Sequence, residues 1–371
     1  MYSRDTAPNT LRMEAILTSI LGGPSLTYSS GLAAFHAMLV HLNPRRVAIG
    51  AGYHGCHGVL ALLGRLTGLR VVDLDCADEE LGPGDVVHVE TPLNPTGEAR
   101  DLEHYAAKAR RVGAYLTVDA TFAPPPLLDP FHWGADVVMH SGTKYFGGHS
   151  DMLCGVLAVA PRHAAAAVAG DDPGWIRGMR DDRLVLGSVM GSLEGWLGVR
   201  SLRTLELRVR KQSADATALV GWLASCIGDS PPSDSGSAAV RKVLRGVRHA
   251  SLQAARGGDE AAFLARQMPN GYGAVFSMTL RDEASARRLP GKLRLFHHAT
   301  SLGGVESLVE WRAMTDRTVD RALLRVSVGV EGWEDLRDDL VQGFQALLRE
   351  EAGGEGKLGG ADVGGAQQVM M

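Results

Sequence analysis

From about residue 30 to residue 160, short β-rich runs alternate with stretches whose apolar residues recur every three or four positions. No other feature of the chain narrows its possible folds so far. Residues 46–50, 69–73, 85–90, 115–119 and 136–140 read as strands, and 31–42, 57–67 and 102–112 as helices. Strands separated by a helix-length interval need crossover connections, so the expected large unit is a mostly parallel sheet with helices on both faces. In open α/β sheets of this kind, ligands gather outside the carboxyl ends of the strands.

The second half reads differently. By periodicity, residues 184–212 form one long helical stretch, with Arg200, Arg203, Arg208 and Arg210 near its end facing solvent or a domain interface. Residues 171–174 (Asp-Asp-Pro-Gly) mark a turn, and 230–237, rich in Ser and Pro, a loop. Strands at 273–280 and 324–329 and an amphipathic helix at 334–351 point to a smaller α+β unit. A chain of 371 residues also exceeds what one hydrophobic core ordinarily supports. The expected organisation is an N-terminal arm at 1–12, a large domain at 13–210, a smaller domain at 211–350 and a glycine-rich, disordered tail at 351–371.

Composition mainly excludes. A net charge of -4 gives no electrostatic reason to expect nucleic acid or an anionic membrane as partner. No segment approaches the roughly 20 apolar residues of a membrane span, and the N-terminus lacks the apolar core of a signal peptide. The four cysteines show no Cys-x-x-Cys spacing, which suits a reducing, cytoplasmic setting without disulfides or structural zinc.

The chemistry centres on Lys144, which follows the strand at 136–140 and has hydroxyl residues before it and Gly147-Gly148 after it. A lysine at a strand's carboxyl end is placed to form a Schiff base with pyridoxal phosphate. That cofactor also needs a carboxylate against its pyridine nitrogen, a cradle for its phosphate and a flat group against its ring. Asp119, closing the strand at 115–119, is the candidate carboxylate, although a turn or N-cap aspartate reads the same way. Ser29-Ser30-Gly31-Leu32 opens a helix whose free N–H groups suit a phosphate, an ordinary serine cap being the alternative. Ser141 and Thr143 add hydroxyls to the same phosphate. Tyr53, flanked by Gly52 and Gly55 just past a strand, is either a ring-stacking group or a rim tyrosine. His54 and His57, without a third ligand, do not amount to a metal site.

Six stretches then fall in order: 30–34 (Ser-Gly-Leu-Ala-Ala), 90–97 (Glu-Thr-Pro-Leu-Asn-Pro-Thr-Gly), 118–124 (Val-Asp-Ala-Thr-Phe-Ala-Pro), 140–151, 301–308 (Ser-Leu-Gly-Gly-Val-Glu-Ser-Leu) and 324–329 (Leu-Arg-Val-Ser-Val-Gly). In these motifs and their spacing the chain, from Tyr2 to about Phe344, resembles the cystathionine γ-synthase/γ-lyase family. That family is the Cys/Met-metabolism group of fold-type I pyridoxal phosphate-dependent enzymes. The resemblance implies an α/β fold with a seven-stranded-type sheet and a smaller C-terminal α+β domain. It makes Lys144 the Schiff-base lysine, Asp119 the pyridinium partner and Tyr53 the stacking ring, the three candidate catalytic residues. Gly31, Leu32, Ser141 and Thr143 would hold the phosphate, Asn94 would lie near the ring oxygen, and Arg325 would take the substrate α-carboxylate with help from Ser301. Tyr2 and Arg4 match an element that reaches the neighbouring subunit's phosphate site, so the resemblance implies a homodimer or homotetramer with shared sites.

The chain departs from the family in three places. It begins almost at Tyr2, where relatives carry several tens of residues, so either the gene model is truncated or the interface is reduced. The usual Tyr-Gly-Gly-Thr stands here as Tyr53-His54-Gly55-Cys56, and the glutamate many relatives place before Ser-Leu-Gly-Gly is Thr300. The expected activity is γ-replacement on an O-acylhomoserine by a thiol such as cysteine, tipped by Thr300 and Val305. The alternative is a cystathionine or methionine γ-lyase yielding a 2-oxo acid, ammonia and a thiol; a lesser one is a catalytically idle relative with a binding role.

Overall fold

The computed structural model describes residues 2–164 and 174–354. Its larger sheet has seven strands: β1 (Ser25–Tyr28), β2 (Arg46–Ile49), β3 (Arg70–Asp73), β4 (Val86–Glu90), β5 (Tyr115–Asp119), β6 (Val137–Ser141) and β7 (Gly155–Val159). They lie in the order β1-β7-β6-β5-β4-β2-β3. Strands β2 to β6 pair in parallel, while β7 runs against both β6 and β1. Val47, Val86, Val118, Val137 and Val138 are fully or almost fully buried, as expected for strands covered on both faces. The alternation of strands and helices thus gives the sheet that the sequence implies.

The helix Gly31–Leu42 starts under a cap in which Ser30 Oγ accepts the Ala33 N–H. The helix after β2 begins at His54, with Tyr53 as its cap residue, three residues earlier than periodicity places it. Strand β1, strand β7 and the helix Pro8–Leu21 were not evident from periodicity. Strand β1 is four residues, two of them Ser and Thr, and β7 pairs antiparallel outside the crossover pattern.

The expected single helix over 184–212 is instead three: Trp175–Leu186, Ser192–Leu202 and Leu205–Ile227. Gly187 ends the first in a left-handed conformation (φ 69°), returning its N–H to Arg183 O. Arg208 is not a solvent residue; it is buried and donates to Tyr145 O at 2.9 Å and to Ser201 O at 3.1 Å. The expected loop at 230–237 closes early, because Asp234 caps a helix Ser235–Val243 by accepting from Ser237. The turn expected at 171–174 falls largely on residues 171–173, outside the described residues.

The second sheet, β8 (Leu244–Arg248), β9 (Val275–Leu280), β10 (His297–His298), β11 (Leu308–Trp311) and β12 (Leu323–Ser327), has the order β10-β11-β12-β9-β8. It is antiparallel apart from β10–β11. The helices Leu205–Ile227 and Trp333–Gly354 pack together, with Leu219, Leu223, Leu336 and Leu340 buried. The last helix reaches Gly354, beyond the expected start of the tail, and residues 355–371 lie outside the described residues. No helix among the described residues is long and apolar enough to cross a membrane.

Candidate active site

The carboxyl ends of β4, β5 and β6 open into a cavity of about 610 Å³, closed on its other side by the second sheet. Sheet register sets what meets there. Glu90 and Asp119 are cross-strand partners at the ends of β4 and β5, and Asp119 pairs with Met139 of β6, two residues before Ser141. Lys144 lies in the hairpin connection from β6 to β7. Thr143 pins that connection: its N–H and hydroxyl donate to Cys154 O, and its hydroxyl accepts the Cys154 N–H at 3.0 Å. From below, Arg208 holds the Tyr145 carbonyl.

The Lys144 amine donates to Ser301 Oγ at 3.3 Å. Burial pulls its pKa down to about 8, the Arg325 guanidinium pulls the same way, and Glu310 opposes them. The amine is therefore substantially neutral, and nucleophilic, at mildly alkaline pH. Uptake of pyridoxal phosphate by cofactor-free protein, followed by visible absorbance, is expected to accelerate as pH rises and to reach half its limiting rate near pH 8. An ordinary lysine, with a pKa of about 10.4, would keep accelerating well beyond, and that profile would remove the depressed pKa from the account.

Asp119 is buried, and its Oδ1 accepts both the Thr121 N–H at 3.0 Å and the Thr121 hydroxyl at 2.5 Å. The same hydroxyl accepts the Ser141 N–H at 2.8 Å, so one threonine ties the aspartate to the end of the lysine strand. Burial raises the pKa of Asp119, and the Thr121 hydrogen bonds counter it. Burial and the neighbouring Asp119 charge raise Glu90 to about 8, against the N–H groups of Tyr53 (2.8 Å) and Asn94 (2.6 Å) that it accepts. Two carboxyls this close do not both ionise easily, and the Asp119 charge helps hold a proton on Glu90 up to about pH 8.

Tyr53 is half-buried on the cavity wall, its hydroxyl pKa raised chiefly by burial. Gly31 and Leu32 line the cavity as the first helical residues after Ser30, where backbone N–H groups lack helical partners. A Cβ on Gly31 would lie 3.1 Å from Ser141 Cβ and Oγ, so the glycine keeps open a narrow cradle at the helix start. Ser141 and Thr143 border this region, but the Thr143 hydroxyl is already engaged with Cys154. Arg325 is buried and donates to Asn94 Oδ1 at 3.2 Å, to Ser301 O at 3.3 Å and to Thr300 O. It also pairs with Glu310 at 2.6 Å, and burial lowers its pKa to about 10.

The structure thus brings Gly31, Leu32, Tyr53, Asn94, Asp119, Ser141, Thr143, Lys144, Ser301 and Arg325 around one cavity. Tyr2 and Arg4 are exposed and lie outside it, bonded to each other and to Leu184 O. Val305 does not line it either, while Thr300 does. Sequence reading gave no role to Glu90, Thr121, Glu310 or Arg312, all at or beside the cavity. Glu90 had one usable signal, a carboxylate ending the strand next to that of Asp119. His54, weighed for metal, instead lies 3.3 Å from Arg312.

These residues fit pyridoxal phosphate on the structure's own terms. They offer a buried amine whose pKa is lowered to about 8, a buried carboxylate at the next strand end, a glycine-cleared helix start and an aromatic wall in one enclosure.

Comparison with known proteins agrees. The family model for Cys/Met metabolism PLP-dependent enzymes matches residues 1–345. The chain is 31% identical over 364 residues to a cystathionine beta-lyase of Lactococcus lactis subsp. cremoris, covering 93% of this chain and 88% of that one. It is 34% identical over 362 residues to a cystathionine gamma-synthase of Mycobacterium tuberculosis, covering 92% and 85%. Its fold superposes with a TM-score of 0.78 on cystathionine gamma-synthase from Xanthomonas oryzae pv. oryzae in complex with aminoacrylate and cysteine, at 28% identity, covering 95% and 88%. With a cavity of matching chemistry and a family match over nearly its whole length, the chain belongs to the Cys/Met metabolism family of pyridoxal phosphate-dependent enzymes.

Proposed function

We propose that this enzyme catalyses γ-replacement on an O-acylhomoserine, a thiol such as cysteine displacing the acyl group as a carboxylate. The observation that carries the reading is the Lys144 amine, its pKa lowered to about 8 and its nitrogen 3.3 Å from Ser301, in the same enclosure as Arg325.

Lys144 would hold the cofactor, with Asp119 facing its ring nitrogen, Gly31, Leu32 and Ser141 at its phosphate and Tyr53 against its ring. When bound, the cofactor supplies an electron sink that stabilises negative charge at the substrate's Cα. Arg325, with Asn94 and Ser301 beside it, takes the α-carboxylate and fixes the orientation of the Cα–H bond. The Lys144 amine removes the Cα proton and then moves protons at Cβ as the γ-substituent leaves. Addition of the thiol at Cγ gives a thioether; without a thiol, water leads to a 2-oxo acid and ammonia. We also propose that Tyr2 and Arg4 complete the phosphate site of a second copy of the chain.

The test incubates cofactor-loaded enzyme with O-acetyl- or O-succinyl-L-homoserine, with and without cysteine. Cystathionine is the expected product with cysteine. Rapid 2-oxobutyrate from cystathionine, with no cystathionine formed from either ester, would establish the γ-lyase reading instead.

A further inference from the structure

We propose that Arg312 is a second anion-binding guanidinium of the substrate cavity, taking a carboxylate remote from the one assigned to Arg325. The inference rests on the proposed reading of the cavity as an amino-acid site and names the class of substrate it selects. Arg312 lines the cavity just after β11 yet is only 3% exposed. Its partners hold it loosely. Its contacts to Glu310 are 3.3 and 3.4 Å, to Thr315 Oγ1 3.3 Å, to His54 Nδ1 3.3 Å and to Asp316 3.7 Å. Its buried Nε has no hydrogen-bond partner among the described residues. Glu310, by contrast, spends its short contacts elsewhere, on Arg325 and on the Thr315 hydroxyl, both at 2.6 Å.

A guanidinium out of water with long contacts and an idle donor is incompletely satisfied. A planar carboxylate meets it with two short, charge-assisted hydrogen bonds. Position says which carboxylate. Glu310 stands between the two arginines, its Oε2 2.6 Å from Arg325 and 3.3 Å from Arg312, so Arg312 offers a second guanidinium on the far side of that carboxylate. His54 and Thr315, which touch Arg312, are exposed, so Arg312 sits on the mouth side of the cavity. Because a guanidinium only donates, His54 Nδ1 is the acceptor, and any ring proton is on Nε2. An amino acid whose α-carboxylate reaches Arg325 would therefore present a distal group to Arg312. That group is either the free carboxylate of a dicarboxylic acyl ester or the carboxylate of an amino-acid thiol.

The cofactor-loaded enzyme is titrated with L-2-aminoadipate and with L-norleucine, which carries a methyl group in place of the distal carboxylate, and binding is read from the visible absorbance. The wild type is expected to bind aminoadipate at least about tenfold more tightly, the value of one charge-assisted contact. Arg312→Lys, which keeps the charge but loses the fork, should reduce that preference. Arg312→Met, which leaves Glu310 paired with Arg325 at 2.6 Å, should abolish it. A purely structural arginine would weaken both ligands alike or neither.

Two kinetic arms separate the sources of the carboxylate. A KM rise in Arg312→Lys confined to O-succinyl- over O-acetylhomoserine points to the acyl group. A rise confined to cysteine over 2-mercaptoethanol points to the thiol. Equal binding of the two ligands by the wild type, or an unchanged preference in both variants, overturns the assignment. If neither ester reacts but the aminoadipate preference is present and lost in the variants, the γ-replacement reading fails and the Arg312 site stands.

Discussion

Replacing Lys144 by alanine is expected to erase the visible absorbance of the protein-bound cofactor and to lower turnover by at least about 10⁴-fold, the upper range for one positioned base. The loss should be that large because the same amine both binds the cofactor and moves the protons. Lys108 serves as an internal control. It too is buried, but its amine is held by the carbonyls of Leu74 (2.8 Å) and Cys76 (2.5 Å), away from the cavity. Lys108→Met should lower the unfolding midpoint while keeping the absorbance and the turnover per folded molecule. Absorbance spectra together with product assays distinguish the two variants, and a Lys144→Ala protein retaining wild-type colour and rate would dismantle the mechanism.

Arg325→Leu has the second largest expected effect, and it acts twice. Loss of the α-carboxylate clamp should raise the substrate KM by roughly 100-fold or more, with a smaller change in kcat. Stability should also fall by about 3–5 kcal/mol, because Glu310, 2% exposed, loses its 2.6 Å partner in the interior. Adding Glu310→Gln to that variant is expected to recover part of the stability, since Arg312 then loses its Glu310 contact, and none of the affinity. Denaturant unfolding and steady-state kinetics on the three proteins test both halves. An unchanged KM in Arg325→Leu would take this arginine out of substrate binding.

The large sheet was legible because buried parallel strands announce themselves as short apolar runs at helix-length intervals. Residues 46–49 and 86–90 are examples. Lys144 and Asp119 were legible for a related reason, since each follows such a run directly and the strand ends locate them. Strand β1 was not, because Ser25–Tyr28 is too short and too polar to stand out. The break at Gly187 was missed because apolar spacing continues on both sides of it while the backbone turns. The ion cluster was hidden for a deeper reason. Glu310 and Arg325 are 15 positions apart and meet only through antiparallel pairing of β11 with β12. Arg312 reads locally as an ordinary surface charge beside Trp311, and nothing in its immediate sequence announces burial.

Lys144 and Arg325 stand on opposite banks of one cleft, the first on the hairpin of the large sheet and the second on β12 of the small one. The banks meet closely: a Cβ on Gly303 would lie 3.1 Å from the Tyr145 nitrogen and 3.2 Å from the Lys144 carbonyl carbon. The geometry couples Lys144, the proposed proton carrier, to Arg325, the proposed carboxylate clamp, through the relative placement of the two sheets. A rotation that opens the cleft between the two sheets would stretch the 3.3 Å contact between Lys144 and Ser301. A side chain at position 303, whose Cβ would meet the Tyr145 and Lys144 backbone at 3.1 and 3.2 Å, would press directly on that seam. The seam at Gly303 therefore acts as a mechanical gauge of the active geometry, readable without touching any residue that performs chemistry.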